Sequence, residues 1–149
     1  MSEAGSHSHK VLGLGGVFIR ARDPAALAAW YRQHLGFDVH DFGGSFGAIF
    51  EFAERQPGYQ IWTAFPTETP YFGAATQPQM LNFRVADLDG LLTQLREAGV
   101  TVEGEVERSD YGAFGWCVDG EGNRVELWQP PEPDIGSNVD STRREAELE

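Results

Sequence analysis

The order of elements in this chain runs twice. Arg20 recurs at Arg84, Asp23 at Asp87, Leu27 at Leu91 and Gly58 at Gly122, each pair 64 residues apart. Around each set the pattern is the same: an extended run, an Asp cap, an amphipathic helix stopped by glycine, then three short extended runs. The aromatic-Gly-Ala triplets Phe46-Gly47-Ala48 and Tyr111-Gly112-Ala113 lie 65 apart, a slip that one change in loop length produces. Such agreement implies duplication. The expected fold is α+β: two tandem βαβββ modules forming a curved mixed sheet around a ligand groove.

The first module spans residues 11–65. A strand over Val11–Arg22 is entered through Gly13, Gly15 and Gly16, and Asp23-Pro24 then supplies a cap and a first-turn proline. The helix Pro24–Leu35 places Leu27, Trp30, Tyr31 and Leu35 on one stripe and stops at Gly36. Extended runs follow over Phe37–Phe42, Phe46–Ala53 and Gly58–Phe65. Residues 66–78 form a linker rich in Pro, Thr and Gly, whose Tyr71 and Phe72 predict packing over the fold. The second module, 79–130, reads as strand Met80–Ala86, helix Leu88–Ala98 and strands Val100–Arg108, Tyr111–Val118 and Asn123–Trp128. Residues 1–10, with His7 and His9, read as a frayed terminus or cloning remnant rather than a metal arm. Residues 131–149 are acidic and poor in apolar side chains, the composition of a disordered tail.

Composition removes several function classes. A formal charge of −12 is unsuited to phosphate backbones, so no nucleic-acid partner is expected. No run approaches the roughly 20 apolar residues of a membrane span. A single cysteine, Cys117, excludes an internal disulfide and suits a reducing compartment. With no hydrophobic segment of signal-peptide type near Met1, the expected location is cytoplasmic.

The second module's last strand, in Gly122-Asn123-Arg124-Val125-Glu126-Leu127-Trp128, alternates strictly. Val125 and Leu127 face a core, and Arg124, Glu126 and Trp128 share the other face. A carboxylate between a cation and an indole is the feature that needs explaining.

Val17-Phe18-Ile19-Arg20-Ala21-Arg22-Asp23, a helix carrying Trp30-Tyr31, and Leu35-Gly36-Phe37 resemble the vicinal oxygen chelate superfamily of glyoxalases, bleomycin-resistance proteins and extradiol dioxygenases. Asn82-Phe83-Arg84-Val85 and the stretch from Asp119 to Trp128 resemble it in the same way. The resemblance covers about residues 11–130. It implies four groove positions that hold a metal in the metal-dependent members: one on the first strand of each module, one on the last. Carried onto this chain, those positions are Gly16, Trp62, Met80 and Glu126. Glycine offers no donor, tryptophan only an N–H, and a thioether is a poor ligand for hard or borderline divalent ions. One carboxylate cannot hold such an ion, and His34 and His40 have no spacing that converges on it. No metal and no cofactor are expected.

Alternation then gives the groove's other members: Phe18 and Arg20 beside Gly16, Asn82 and Arg84 beside Met80, Gln60 beside Trp62, and Arg124 and Trp128 beside Glu126. Large aromatic side chains around a few polar groups make a small-molecule pocket. Structural roles stand beside these: Arg20 and Arg84 as ion-pair partners of Asp23, Asp87 or Glu126, and Trp62 and Met80 as core filling. Two functions follow. In one, the protein binds a small aromatic or cationic molecule without a metal, as the bleomycin-resistance branch implies. In the other it is an isomerase, epimerase or lyase with Glu126 as general base and Arg20, Arg84 or Asn82 stabilising an oxyanion. A homodimer is the expected assembly.

Overall fold

The computed structural model describes residues 14, 16–51, 58–73 and 77–132. The terminal segments and the turn around Gln56-Pro57 lie outside the described residues. Two helices, α1 (Pro24–Leu35) and α2 (Leu88–Glu97), accompany six strands: β1 (Val39–Asp41), β2 (Phe46–Ala48), β3 (Leu81–Arg84), β4 (Val102–Ser109), β5 (Gly112–Val118) and β6 (Arg124–Gln129). The class is α+β, as duplication implied.

Both helix starts follow from their caps. Asp23 Oδ1 accepts from the Ala26 N–H at 3.1 Å, and Asp87 Oδ1 from the Gly90 N–H at 3.0 Å. The second module is complete. Its sheet runs β3-β6-β5-β4, with β3 parallel to β6 and the other pairs antiparallel. The C-terminal strand β6 is therefore interior. Leu88, Leu92 and Leu95 of α2 pack on Ala113, Cys117, Val125 and Leu127 from one face of that sheet, and each buried leucine contributes about 2 kcal/mol. Gly115 sits directly beneath α2: a Cβ there would come within 2.9 Å of Leu92 Cδ1. Glycine sets how closely helix and sheet approach.

The helix α1 joins the same core through Leu27 and Tyr31. Phe37 and Tyr31 meet Phe83 of β3 edge-on, with centroids 5.3 and 6.0 Å apart. The β5–β6 loop reaches back to the start of α1, where the Glu121 carboxylate accepts from the backbone N–H groups of Arg22 and Asp23, both at 2.9 Å. Those two bonds hold the Glu121 carboxyl below the usual carboxylate range. Deeper in, the Tyr31 hydroxyl donates to Asp119 Oδ2 at 2.8 Å.

The first module departs from the expected strands. In the ranges expected for its first and last strands, residues 16–20 and 58–65 form no ladder among the described residues. Just before the first of these runs, Leu14 N–H donates to Gln60 Oε1 of the second at 3.4 Å. The runs expected over Phe37–Phe42 and Phe46–Ala53 shorten to β1 and β2, paired as a small hairpin. Glycine-rich backbone loses more entropy when ordered. Phe18 is fully exposed, so its ring adds no burial to offset that cost.

Candidate functional site

The sheet register assembles the site. On the face away from α2, one row crosses all four strands: Asn82 beside Glu126, Glu126 opposite Trp116, Trp116 opposite Glu103. A second row runs Arg84, Trp128, Phe114, Glu107. Side chains directly opposite in a ladder lie within reach of one another, and the first row uses that reach fully.

Glu126 is 7% exposed and its carboxylate is held on both sides. Trp116 Nε1 donates to Oε1 at 3.1 Å and Asn82 Nδ2 to Oε2 at 2.6 Å. A third donor, the Tyr71 hydroxyl, comes to Oε1 from the linker. Among the described residues, its three donors are all neutral. Of the partners open to Arg20 and Arg84, namely Asp23, Asp87 and Glu126, the Glu126 carboxylate is in no ion pair among the described residues. Burial, and then the bond to Glu126, push the Tyr71 phenol above its ordinary value, so it donates as a neutral O–H.

Arg124 lies 5.2 Å over the Trp116 ring, and its Nη1 donates to Glu103 Oε1 at 3.1 Å. Its Nε is buried without an acceptor among the described residues, so the ring and Glu103 carry the attraction. Trp128 is buried. Its Nε1 donates to the Tyr111 carbonyl at 2.7 Å, and its ring lies against Tyr59 and Phe114. Protein groups thus already contact the indole that alternation offered to a ligand.

The remaining sequence candidates divide. Asn82 and Arg84 stand beside Glu126 and Trp128 of β6 as alternation requires, with the Arg84 guanidinium close over Gly58, while half-buried Met80 precedes β3. Arg20 and Phe18 line a separate cavity of about 420 Å³ shared with Gln77, Asp119 and Asn123. Gln60 is exposed and accepts from Leu14, and Trp62 is 81% exposed. Neither is brought to Glu126, because the run 58–65 does not pair into the sheet. Cys117 is fully buried on the α2 side, and burial with nearby Asp119 pushes its thiol up to about 12. It is a core side chain.

Trp116 and Tyr71 had gone unassigned. The first was readable: counting outward from the turn 119–123 pairs Val118 with Arg124, and so Trp116 with Glu126. Tyr71 had only its aromatic character within a Pro-rich linker as a signal.

Linker and sheet enclose an open cavity of about 530 Å³, walled by Phe65, Tyr71, Trp116 and Arg124 and rimmed by Glu105 and Glu107. Tyr71 and Trp116 line this cavity while Glu126 lies behind them. Divalent metal does not fit the four positions. Gly16 has no donor, Trp62 points elsewhere, Met80 offers only sulfur, and three of the roughly four lone-pair directions on Glu126 are taken. Among the described residues, no three His, Cys, Asp or Glu side chains cluster to hold an ion. His34 lies on Trp30, and His40 is 3.3 Å from Asp38.

No helix among the described residues is long and apolar enough to cross a membrane. None of the curated proteins compared matches this sequence. Among solved structures, TnmS3, an antibiotic binding protein from Streptomyces sp. CB03234, is 18% identical. The match covers 83% of this chain and all of that one, with a TM-score of 0.51, which supports the same fold. Oxidase ChaP-H2 is 22% identical over 78% of this chain and 91% of its own, with a TM-score of 0.47. A lactoylglutathione lyase from Agrobacterium tumefaciens is 17% identical over 73% and 87%, with a TM-score of 0.45. The sequence model of the Glyoxalase/Bleomycin resistance protein/Dioxygenase superfamily matches residues 13–127, most of the chain. The chain belongs to the Glyoxalase/Bleomycin resistance protein/Dioxygenase superfamily.

Proposed function

We propose that this protein binds a small aromatic or cationic molecule, without a metal, in the cavity between the linker and the second module's sheet. One observation carries this reading: an aromatic wall of Phe65, Tyr71 and Trp116 meets an acidic rim of Glu105 and Glu107. The cation lining that cavity, Arg124, is committed to Glu103 and the Trp116 ring. A planar cation gains ring contact and charge attraction together. TnmS3, which has this fold, is by its description an antibiotic binding protein.

The alternative, Glu126 as general base in an isomerase or lyase, has less support. A base must reach the proton it removes, and Tyr71 and Trp116 stand between Glu126 and the cavity while donating to it.

Calorimetric titration with N-methylquinolinium, against neutral 2-methoxynaphthalene, tests the reading. The cation is expected to bind more tightly, and the Glu105→Gln/Glu107→Gln double variant to weaken it about threefold to tenfold. No binding of either ring would overturn it, and equal affinity for the neutral one would overturn the role given to Glu105 and Glu107.

A second copy of the chain is the partner we propose for the apolar side chains left exposed at Val17, Phe18, Ile61 and Trp62. Sedimentation equilibrium is expected to give a dimer, and Phe18→Asp/Trp62→Asp to give a monomer. A monomeric parent at tens of micromolar would refute the dimer.

A further inference from the structure

Two of the three donors to Glu126 are fixed neighbours in the sheet, whereas the third is carried by a separate segment. Phe65–Gly73 forms a strap across the cavity. Its shape is set locally: Thr69 N–H donates to the Pro66 carbonyl and Gly73 N–H to the Pro70 carbonyl, both at 3.0 Å. Each turn opens on a proline, which fixes φ there. Tyr71 N–H donates to Thr69 Oγ1 at 3.2 Å.

The Tyr71 ring lies stacked on Phe65, 5.3 Å between centroids at 16°, and meets Trp116 edge-on at 6.1 Å and 89°. Gly73, at φ +85°, lets the strap come down on Arg124: a Cβ there would sit 2.9 Å from Arg124 Cδ. A phenol ring is thus placed with one face on an aromatic side chain, its edge against an indole, and its O–H on a buried carboxylate. Removing that ring would open Glu126 to the cavity.

We propose that Tyr71 is an internal occupant of the binding site, and that the ligand is a hydroxyaryl compound whose phenolic O–H replaces that of Tyr71 on Glu126 Oε1. This deepens the reading of the cavity as a ligand site and rests on it. The replacement is an exchange of like bonds. One phenol–carboxylate hydrogen bond breaks as another forms, and no proton changes owner. Net affinity comes from the additional ring surface buried against Phe65 and Trp116 once the strap swings out. Among neutral aromatic ligands the strap therefore selects against those without a donor, which would leave Glu126 Oε1 with the Trp116 bond alone.

Calorimetry with 2-naphthol on parent, Tyr71→Phe and Tyr71→Ala tests this. Tyr71→Phe keeps the ring and the fold but frees Glu126 Oε1, so about tenfold tighter 2-naphthol binding than in the parent is expected. Tyr71→Ala is expected to gain at least as much, and Tyr71→Ala/Glu126→Gln to lose the gain. With 2-methoxynaphthalene, which has the ring without the donor, neither variant should gain. Unchanged or weaker 2-naphthol binding in Tyr71→Phe would overturn the proposal, as would an equal gain for the methoxy compound. If N-methylquinolinium binds the parent while these outcomes fail, the strap inference alone falls. If none of the three probes binds any variant, the cavity reading falls with it.

Discussion

Replacing Asp119 with alanine is expected to lower stability by about 3–5 kcal/mol, more than the loss of Glu126. The carboxylate is 6% exposed and accepts four hydrogen bonds. They come from the backbone N–H groups of Glu121 and Asn123 at 2.9 Å, from Asn123 Nδ2 at 3.1 Å, and from the Tyr31 hydroxyl at 2.8 Å. The first three shape the β5–β6 turn and so the register that pairs Trp116 with Glu126. The fourth joins α1 to that turn. Thermal melts should show a loss of roughly 10–15 °C, and a loss under 3 °C would mean that water replaces the carboxylate.

Tyr31→Phe, which removes only one of these bonds, is expected to cost about 1 kcal/mol at neutral pH and to change the alkaline limb. Burial, and then the bond to Asp119, raise the folded-state pKa of Tyr31 above its ordinary 10.0. The folded protein therefore keeps a proton that the unfolded chain releases. That contribution is complete below pH 10 and is lost as pH climbs beyond it. Cys117, pushed from 9.0 to about 12, adds a loss with the same sign beginning near pH 9. Tyr71 acts in the same direction as Tyr31. Tyr31→Phe should flatten the denaturation midpoint between pH 10 and 11 without abolishing its fall. A slope unchanged by the substitution would count against the assignment.

Glu126→Ala is the second large effect, expected at about 2–4 kcal/mol with loss of hydroxyaryl binding. Two physical terms oppose each other. Deleting a buried carboxylate that has no cationic partner among the described residues relieves a desolvation cost, yet it leaves Trp116 Nε1 and the Tyr71 hydroxyl without their acceptor. Bonds to a charged group are worth about 1.5–3 kcal/mol each, so stranding the donors wins. Glu126→Gln should cost under half as much, because a turned Asn82 amide can present its oxygen to the new NH2 group. A melting temperature raised by Glu126→Ala would reverse this assignment and mark the carboxylate as a strained charge.

Local chemistry made much of this readable in the residues. Asp23, Asp87, Gly36 and Gly99 punctuate helices that form where their signals stand. The alternation in Arg124–Trp128 sorts the two faces of the sheet as written, since Val125 and Leu127 lie under α2 and Glu126 lies opposite. Tertiary placement was less legible. Symmetry between the modules put Trp62 across from Glu126, but a periodic pattern states which face a side chain takes only once its strand is paired. Residues 58–65 are not paired, and Trp62 faces outward. The group that does approach Glu126, Tyr71, belongs to no repeating pattern. Its position depends on two proline turns and on ring contacts that no strand or helix period encodes.

The interior place of β6 has a consequence for how the molecule comes into being. During synthesis, β3, α2, β4 and β5 all leave the ribosome before the strand that must lie between β3 and β5 exists. Until residues 124–129 emerge, β3 has no neighbour in the sheet and α2 lacks the Val125 and Leu127 side of its contact. Closure is then a late, long-range event, the kind that loop entropy slows. The residue at the centre of the polar site, Glu126, arrives with the last strand. Acquiring a native fold and acquiring the site are the same step.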